Sequence, residues 1–378
     1  MHRSASLSRI IKAEAMRLGF SLVGISIPEP PPHFDIFVRW LAAGRQAGMG
    51  YLASDRSRTR RADPRQILPE ARSILSVGLP YSTPDSVPDR PGQGRVAAYA
   101  WGADYHHVMP GRLQALIAAL EAQVRRVVQQ RAYTDTGPIL ERDLAQQAGL
   151  GWIGKNTCLI HPRLGSYFLL GEILLDADLE PDAPLEHDFC GTCRRCIEAC
   201  PTQCILPDRT IDSGSCISYL TIENKGAIPS DLRPAMGSWV FGCDVCQAVC
   251  PWNMRFAQQP ADPELAARPG VPSPNLAEEL SLSPTDFNRK FKGSPIERPH
   301  RRGYLRNVAV ALGNLADPSL VPALAQSLLT EVEPLIRGHA AWALGRIGTT
   351  QARAALDQAA RSEMDAAVLE EIRAALGG

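Results

Sequence analysis

The 378-residue sequence has no net charge, with 40 lysines and arginines set against 40 aspartates and glutamates. A neutral molecule has no long-range field to draw in a polyanion, so any affinity for nucleic acid must come from a local basic patch. Also missing is an uninterrupted apolar run near the ~20 residues that a membrane-spanning helix needs. The opening "MHRSASLSRIIKAEAMRLGF" is basic at its start, but Lys12, Glu14 and Arg17 break what would have to be the apolar core of an export signal. An amphipathic helix from Leu7 to Leu18 is the better expectation, in a soluble, cytoplasmic protein with no membrane contact. In that compartment thiols stay reduced, so the ten cysteines are not expected to form structural disulfides. All but Cys158 fall between Cys190 and Cys250. That density asks for metal.

Three kinds of pattern follow one another along the chain. Residues 1 to about 185 alternate helical stretches such as Phe34 to Leu41 with strand-like ones such as Leu22 to Ile27 and Ser73 to Gly78, which predicts an α/β or α+β domain. Within it, "GKNTCLIHPRLGSYFLLGEILL" reads as a hairpin turning at Pro162 to Gly165. Residues 186–256 hold the cysteines. Residues 257–303 begin in the Pro- and Ala-rich "QQPADPELAARPGVPSPN" and read as a linker leading into a basic helical segment. From 304 to 378 the pattern is helical and repeats: "NVAVALGNL" from Asn307 and "HAAWALGRI" from His339 superpose Ala311, Leu312 and Gly313 on Ala343, Leu344 and Gly345. A period of this size predicts a HEAT-like stack of helix pairs, with a plain helical bundle as the alternative.

The cysteines carry the most specific signal. "CGTCRRCIEACP" places Cys190, Cys193, Cys196, Cys200 and Pro201 in the C-x2-C-x2-C-x3-C-P run of two-cluster ferredoxins. In that arrangement three cysteines grip one cubane and the fourth reaches a second cluster, so a second half must exist. "CDVCQAVCP" supplies Cys243, Cys246, Cys250 and Pro251, with Val240 where a first cysteine would stand. Cys216 is the only unassigned cysteine inside the module able to replace it, apart from Cys204. By reciprocity one cluster takes Cys190, Cys193, Cys196 and Cys250, and the other takes Cys200, Cys216, Cys243 and Cys246. A pair of zinc sites is the alternative, although two interlocking C-x3-C-P endings are foreign to zinc modules. Cys158 and Cys204 read as small buried hydrophobes.

Two glycine-rich stretches resemble nucleotide loops without their context. "GQGRVA" at Gly92 follows the Pro-rich "STPDSVPDRP" and not a strand. "GLGWIGKN" at Gly149 follows a helical "ERDLAQQA" and precedes a strand-like "TCLI", the reverse of a phosphate loop, and Asn156 stands where magnesium would need Ser or Thr. Asp135 in "YTDTGPILER" is either a capping aspartate at a turn or, if it faces a closed pocket, a proton donor with a raised pKa.

Taken together, "RADPRQILPEARSI", "AWGADYHHV", "TDTGPILERDLAQQAGLGWIGKN", "GSYFLLGEILL", "CGTCRRCIEACPT", "CISYLTIENKG" and "GCDVCQAVCPWN" resemble epoxyqueuosine reductases, in family order. The resemblance implies an N-terminal cobalamin-binding catalytic domain beside a ferredoxin-like module with two 4Fe–4S clusters and a C-terminal all-α, tRNA-binding HEAT-like domain. It implies reduction of the epoxide of epoxyqueuosine at the wobble position of tRNA, by cob(I)alamin fed from the clusters. Asp135 matches the family's proposed proton donor. Residues matching the corrin pocket are Arg61, Asp135, the backbone near Ala97, Lys155, Asn156, Leu159, Leu170, Ser218 and Asp244. No D-x-H-x-x-G motif is present, so no protein histidine is expected as the lower cobalt ligand, and His106 and His107 are possible substrate contacts.

The implied partners are a tRNA carrying epoxyqueuosine and an external low-potential electron donor, with the protein acting as a monomer. RNA would be held by Arg289, Lys290, Lys292, Arg298, Arg301, Arg302 and Arg306, interleaved with Phe291 and Tyr304. Two rivals stand beside this reading. One is an enzyme of the reductive-dehalogenase type, whose twin-arginine signal is not seen here. The other is a non-catalytic electron-transfer module with a helical docking domain, which would leave "TDTGPILER" to "GWIGKN" without a purpose.

Overall fold

The computed structural model describes residues 2–81, 91–257 and 262–377. Most of "STPDSVPDRP" and the first residues of the Pro- and Ala-rich stretch lie outside them. The chain divides into two compact units, one of Met1–Thr83, Gly102–Gly214 and Val245–Ala266, the other of Pro84–Trp101, Ser215–Asp244 and Ala267–Gly378. No helix among the described residues is long and apolar enough to cross a membrane.

The first unit is built on a four-stranded sheet. Leu22–Ser26 pairs with Ser73–Pro80, that strand with Phe168–Leu175, and the last with Gln130–Tyr133, every pair antiparallel. The unit is therefore α+β, without the parallel crossovers of an α/β domain. Every residue of "SILSVGLP" is buried, because helices cover both faces of this strand. On one face Ile74 and Leu174 pack with Leu144 of the helix Glu141–Gln147. On the other, Gly171 lets Met109 and Leu113 of the helix Tyr105–Val124 approach the backbone.

One sequence expectation changes here and another holds. The stretch around Pro162 is a tight turn closed by the bridge of His161 to Gly165, but its arms do not form one ladder. Leu159–Ile160 pairs with Trp152–Ile153, whereas Phe168–Leu175 joins the main sheet. The helix before "GLGWIGKN" ends as its sequence suggests. Gly149 has φ 77°, its N–H donates to Gln146 O at 3.0 Å, and Leu150 N–H donates to Ala145 O at 2.9 Å, a Schellman ending that satisfies the last carbonyls. "GLGWIGKN" is thus a helix end running into a short strand.

In the second unit the repeat is real. The helices His300–Leu315, Pro334–Ile347 and Ala366–Gly377 lie side by side. A Cβ on Gly313 would stand 2.9 Å from Ala343 Cα, and one on Gly345 would stand 2.9 Å from Ala375 Cα, so the same repeat position keeps neighbouring helices close. Residues 215–244 pack with this unit: Ile217, Leu220, Ile228 and Met236 form a core with Val310.

Arg306 explains why that core can hold a loop. The carbonyls at the end of the helix Ile217–Ile222 have no helical partners. The Arg306 guanidinium donates to Leu220 O at 2.6 Å, Asn224 O at 2.8 Å and Gly226 O at 2.7 Å, while Asn307 Nδ2 donates to Thr221 O at 2.8 Å and Val240 O at 2.9 Å. Arg306 is completely buried, and desolvation lowers its pKa to about 9. It is a structural arginine, which corrects its assignment to RNA. Phe291 and Tyr304 are likewise core, packed against Phe287 and each other at tilted and edge-on angles, and not platforms for bases.

Arg306→Leu takes the donor from the buried carbonyl of Leu220 and from the less buried carbonyls of Asn224 and Gly226, so it is expected to destabilise the protein by about 2 kcal/mol. Urea unfolding with tryptophan fluorescence measures this, and a loss under about 1 kcal/mol would contradict the role.

Candidate active site

The first cysteine set converges in the first unit. Cys190, Cys193 and Cys196 lie on and just after a loop leading into the short helix Arg195–Ala199, and Cys250 caps the helix Pro251–Phe256. All four line one cavity of 360 Å³ whose other walls include Lys155, Asn156, Trp252 and Phe256. Burial pushes the Cys196 and Cys250 thiols up, so without metal they are neutral, and binding iron would displace their protons. Four convergent thiols in a largely apolar cavity are a fitting donor set for a cubane.

The "GLGWIGKN" segment supports that cavity directly. Lys155 Nζ donates to Gly191 O at 2.7 Å and Cys193 O at 2.9 Å, tying down the cysteine loop. Trp152 Nε1 donates to Cys190 Sγ at 3.4 Å, and its ring meets Trp252 and Phe189 edge-on. Asn156 is buried, with Nδ2 donating to Cys246 O at 3.4 Å. The side chains of Lys155 and Asn156 thus engage the cysteine loops, which differs from the corrin contacts expected for them.

For the second set, Cys200 and Cys246 lie in the first unit and Cys216 and Cys243 in the second. Cys216 stands at the N-cap of the helix Ile217–Ile222, and Cys243 packs against the core of Ile217 and Leu220. Cys204 is buried, with its sulfur 3.5 Å from that of Cys200.

Asp135 occupies a left-handed backbone position, φ 58°. It caps no helix, since Leu140 holds the N-cap of the following one. Instead Thr134 Oγ1 donates to Leu170 O at 2.8 Å, and Asp135 N–H donates to Glu141 Oε1 at 2.6 Å, so both sides of the residue are braced. Its carboxylate accepts from Tyr105 Oη at 2.8 Å and lies 3.6 Å from His106 Nε2, while His106 Nδ1 faces Asp104 Oδ1 at 2.8 Å.

The side chain of Asp135 remains 65% exposed, so a substrate atom can reach it. Desolvation acts to raise its carboxyl, but His106 and Tyr105 outweigh it and hold the pKa below the ordinary carboxylate value. The raised pKa expected for a closed pocket is not found. The proton sits on the neighbour: against desolvation, which lowers it, Asp104 and Asp135 push His106 up to about 9.

Two carboxyls behind this loop escaped sequence reasoning. Glu141 is pushed up to about 7, first by burial and then by Asp135. Glu172 is fully buried, neither oxygen has a hydrogen-bond partner among the described residues, and burial followed by the charges of Glu141 and Asp135 pushes it well up. A lone charge inside "FLLGEILL" was the signal that could have found it.

Of the other expected contacts, Arg61 stands beside the Asp135 loop. It donates to Gly137 O at 3.3 Å and to Ser57 Oγ, with its guanidinium 5.7 Å from the centre of the Phe37 ring. Leu170 joins through its carbonyl. Leu159 spends its side chain in the core with Leu22 and Ala145. In the second unit, Asp244 is buried and accepts from Ala98 N–H at 2.7 Å; burial pushes its carboxyl up to about 7. Ala97 donates to Phe241 O at 2.8 Å, and Ser218 lies in the first turn of Ile217–Ile222.

The expected RNA residues are mostly occupied. Arg289 pairs with Asp286, Lys290 with buried Glu279, Arg298 with Glu223, and Arg301 with Glu331; Arg302 donates to Lys225 O. Lys292 and Arg302 are exposed.

Comparison with known proteins gives three profile matches: epoxyqueuosine reductase QueG over residues 61–136, a 4Fe–4S double cluster binding domain over 189–253, and HEAT repeats over 302–377. An epoxyqueuosine reductase of Pseudomonas aeruginosa is 41% identical over 92% of this chain and 96% of its own. That of Escherichia coli K12 is 38% identical over 90% and 89%. A crystal structure of epoxyqueuosine reductase with a tRNA-Tyr epoxyqueuosine-modified tRNA stem loop superposes with a TM-score of 0.91 at 29% identity, covering 98% of both chains.

The Trp152 hydrogen bond to Cys190 stabilises added negative charge at that sulfur. Trp152→Phe is therefore expected to lower the midpoint potential of one cluster by about 40 mV, the equivalent of ~1 kcal/mol. Redox titration followed by electron paramagnetic resonance reads it, and an unchanged potential would remove the bond from the account.

Proposed function

Because the chain belongs to the epoxyqueuosine reductase family, we propose that it reduces the epoxide of epoxyqueuosine at the wobble position of tRNA to queuosine. The observation that carries this reading is the Asp135 and His106 pair: an accessible carboxylate backed by a protonated imidazole, in the segment that matches the family. A pure electron-transfer module needs no such pair, and family membership sets aside the dehalogenase alternative.

The proposed ligands of the first cluster are Cys190, Cys193, Cys196 and Cys250, and those of the second are Cys200, Cys216, Cys243 and Cys246. For cobalamin they are Arg61, Asp135 and Leu170 with Ala97, Ser218 and Asp244. The chemistry of this set suits a corrin rim of amides, which needs both donors and acceptors. When bound, cobalamin supplies a strongly reducing metal centre for the two-electron step, and the two 4Fe–4S clusters supply its electrons one at a time.

Removing the epoxide oxygen consumes two electrons and two protons and yields an alkene and water. The chain's own part is the delivery of one of these protons; the other comes from solvent, which reaches the exposed carboxylate of Asp135. Asp135 accepts the proton that His106 holds at Nε2 and passes it to the departing oxygen, an acid relayed through a carboxylate that the solvent-facing substrate can touch. Tyr105 orients the carboxylate, and Glu141 fixes the loop by its backbone. An external low-potential donor, Lys292 and Arg302 as phosphate contacts, and a monomeric protein complete the reading.

Asp135→Asn is expected to lower turnover by about 100-fold or more while the absorption of both clusters stays unchanged. Turnover should hold through neutral pH and fall as pH rises through about 9, where His106 loses its proton. His106→Gln should erase that alkaline limb. An unaltered pH profile in this variant would take His106 out of the proton path.

A further inference from the structure

The helix Asp55–Ala62 and the turn after it carry Arg56, Arg58, Arg60, Arg61 and Arg65 against only Asp55 and Asp63. Its inner face is spoken for. Ser57 is buried, and Arg61, one turn on, donates to Ser57 Oγ and to Gly137 O. Arg56, Arg58 and Arg65 are exposed, Arg60 is half-buried, and none of the four is paired with a carboxylate among the described residues. Asp63 is engaged by Arg65 N–H at 2.8 Å, as the cap of the turn Pro64–Gln66.

Other cations of the molecule do find carboxylates. Arg289, Lys290, Arg298 and Arg301 all do so in the segment whose sequence looked more basic. Like charges kept together without counter-charges cost stability, so an external polyanion is the partner that such a face fits. Just ahead of the helix, Tyr51 is 58% exposed on the turn Gly50–Leu52, and an aromatic beside arginines suits an unpaired base.

Resting on the reading that tRNA is the substrate, we propose that the outer face of Asp55–Ala62, through Arg56, Arg58 and Arg65, grips the RNA backbone beside the modified nucleotide. Position selects RNA over an acidic electron-carrier protein. Arg61 ties this helix to the loop of Asp135, where the reacting nucleotide must arrive. An electron carrier is served by the cysteine loops instead.

The test is binding of a fluorescent RNA anticodon stem loop by the cluster-loaded full-length protein, across a series of salt concentrations. Arg56→Glu, Arg58→Glu and Arg65→Glu combined should weaken binding by about tenfold or more and flatten the slope of log K against log salt by about 2. Iron content and the visible spectrum should not change. If the reversal variant does not fold, the Arg→Gln triple variant reads the same slope.

Equal affinity and equal slope in a folded variant would overturn the inference and leave the tRNA reading standing. Unchanged RNA binding with weakened binding of a flavodoxin would overturn it in favour of a protein partner. No binding of the stem loop by the unaltered protein would overturn the tRNA reading itself.

Discussion

A loop that carries three thiols on a few residues must be held open by something other than its metal, or burial of its own sulfurs will close it. In the first unit that constraint is met by Lys155, whose ammonium satisfies the carbonyls of Gly191 and Cys193 together. The same stretch of chain organises the rest of the site. The strand that delivers Lys155 also delivers Trp152 to Cys190 and Asn156 to the backbone of Cys246. The helix that ends at Gly149 carries Glu141 at its start, which fixes Asp135. One helix–strand unit therefore sets both the electron side and the proton side of the chemistry.

The proton side uses a different device. Asp135 is accessible yet ionised, and the proton it needs is stored on His106 because two carboxylates stabilise the imidazolium. Storing the acid one bond behind the group that touches substrate keeps the carboxylate a good acceptor at rest and a donor in turn. Behind it, Glu172 has no partner inside the sheet and Glu141 is half-titrated near neutrality, so the loop rests on carboxyls that burial keeps from full ionisation.

Much of this was legible in the sequence where spacing dictates geometry. The gathering of Cys190, Cys193, Cys196 and Cys250 around one cavity, the repeat offset of Gly313 and Gly345, and the helix end at Gly149 follow from local rules and reappear in the structure. What was not legible depends on three-dimensional neighbours. Arg306 lies among other cations in sequence, but its surroundings are the carbonyls of a distant helix end. Asp135 was open to a capping role until its partners, Tyr105 and His106, came into view. Lys155 and Asn156 sit in the family segment, and only packing reveals that they face the cysteine loops. A charge count could not separate paired from unpaired arginines, which is why Asp55–Ala62 escaped notice.

On this mechanism the chain removes one oxygen atom from epoxyqueuosine using cobalamin and its own proton donors. The direct measurement is mass spectrometry of nucleosides from epoxyqueuosine-containing tRNA, incubated anaerobically with the cluster-loaded protein, cobalamin and a low-potential reductant. The modified nucleoside should lose one oxygen, dependent on added cobalamin. Unchanged nucleoside, with both clusters present and cobalamin bound, would contradict it.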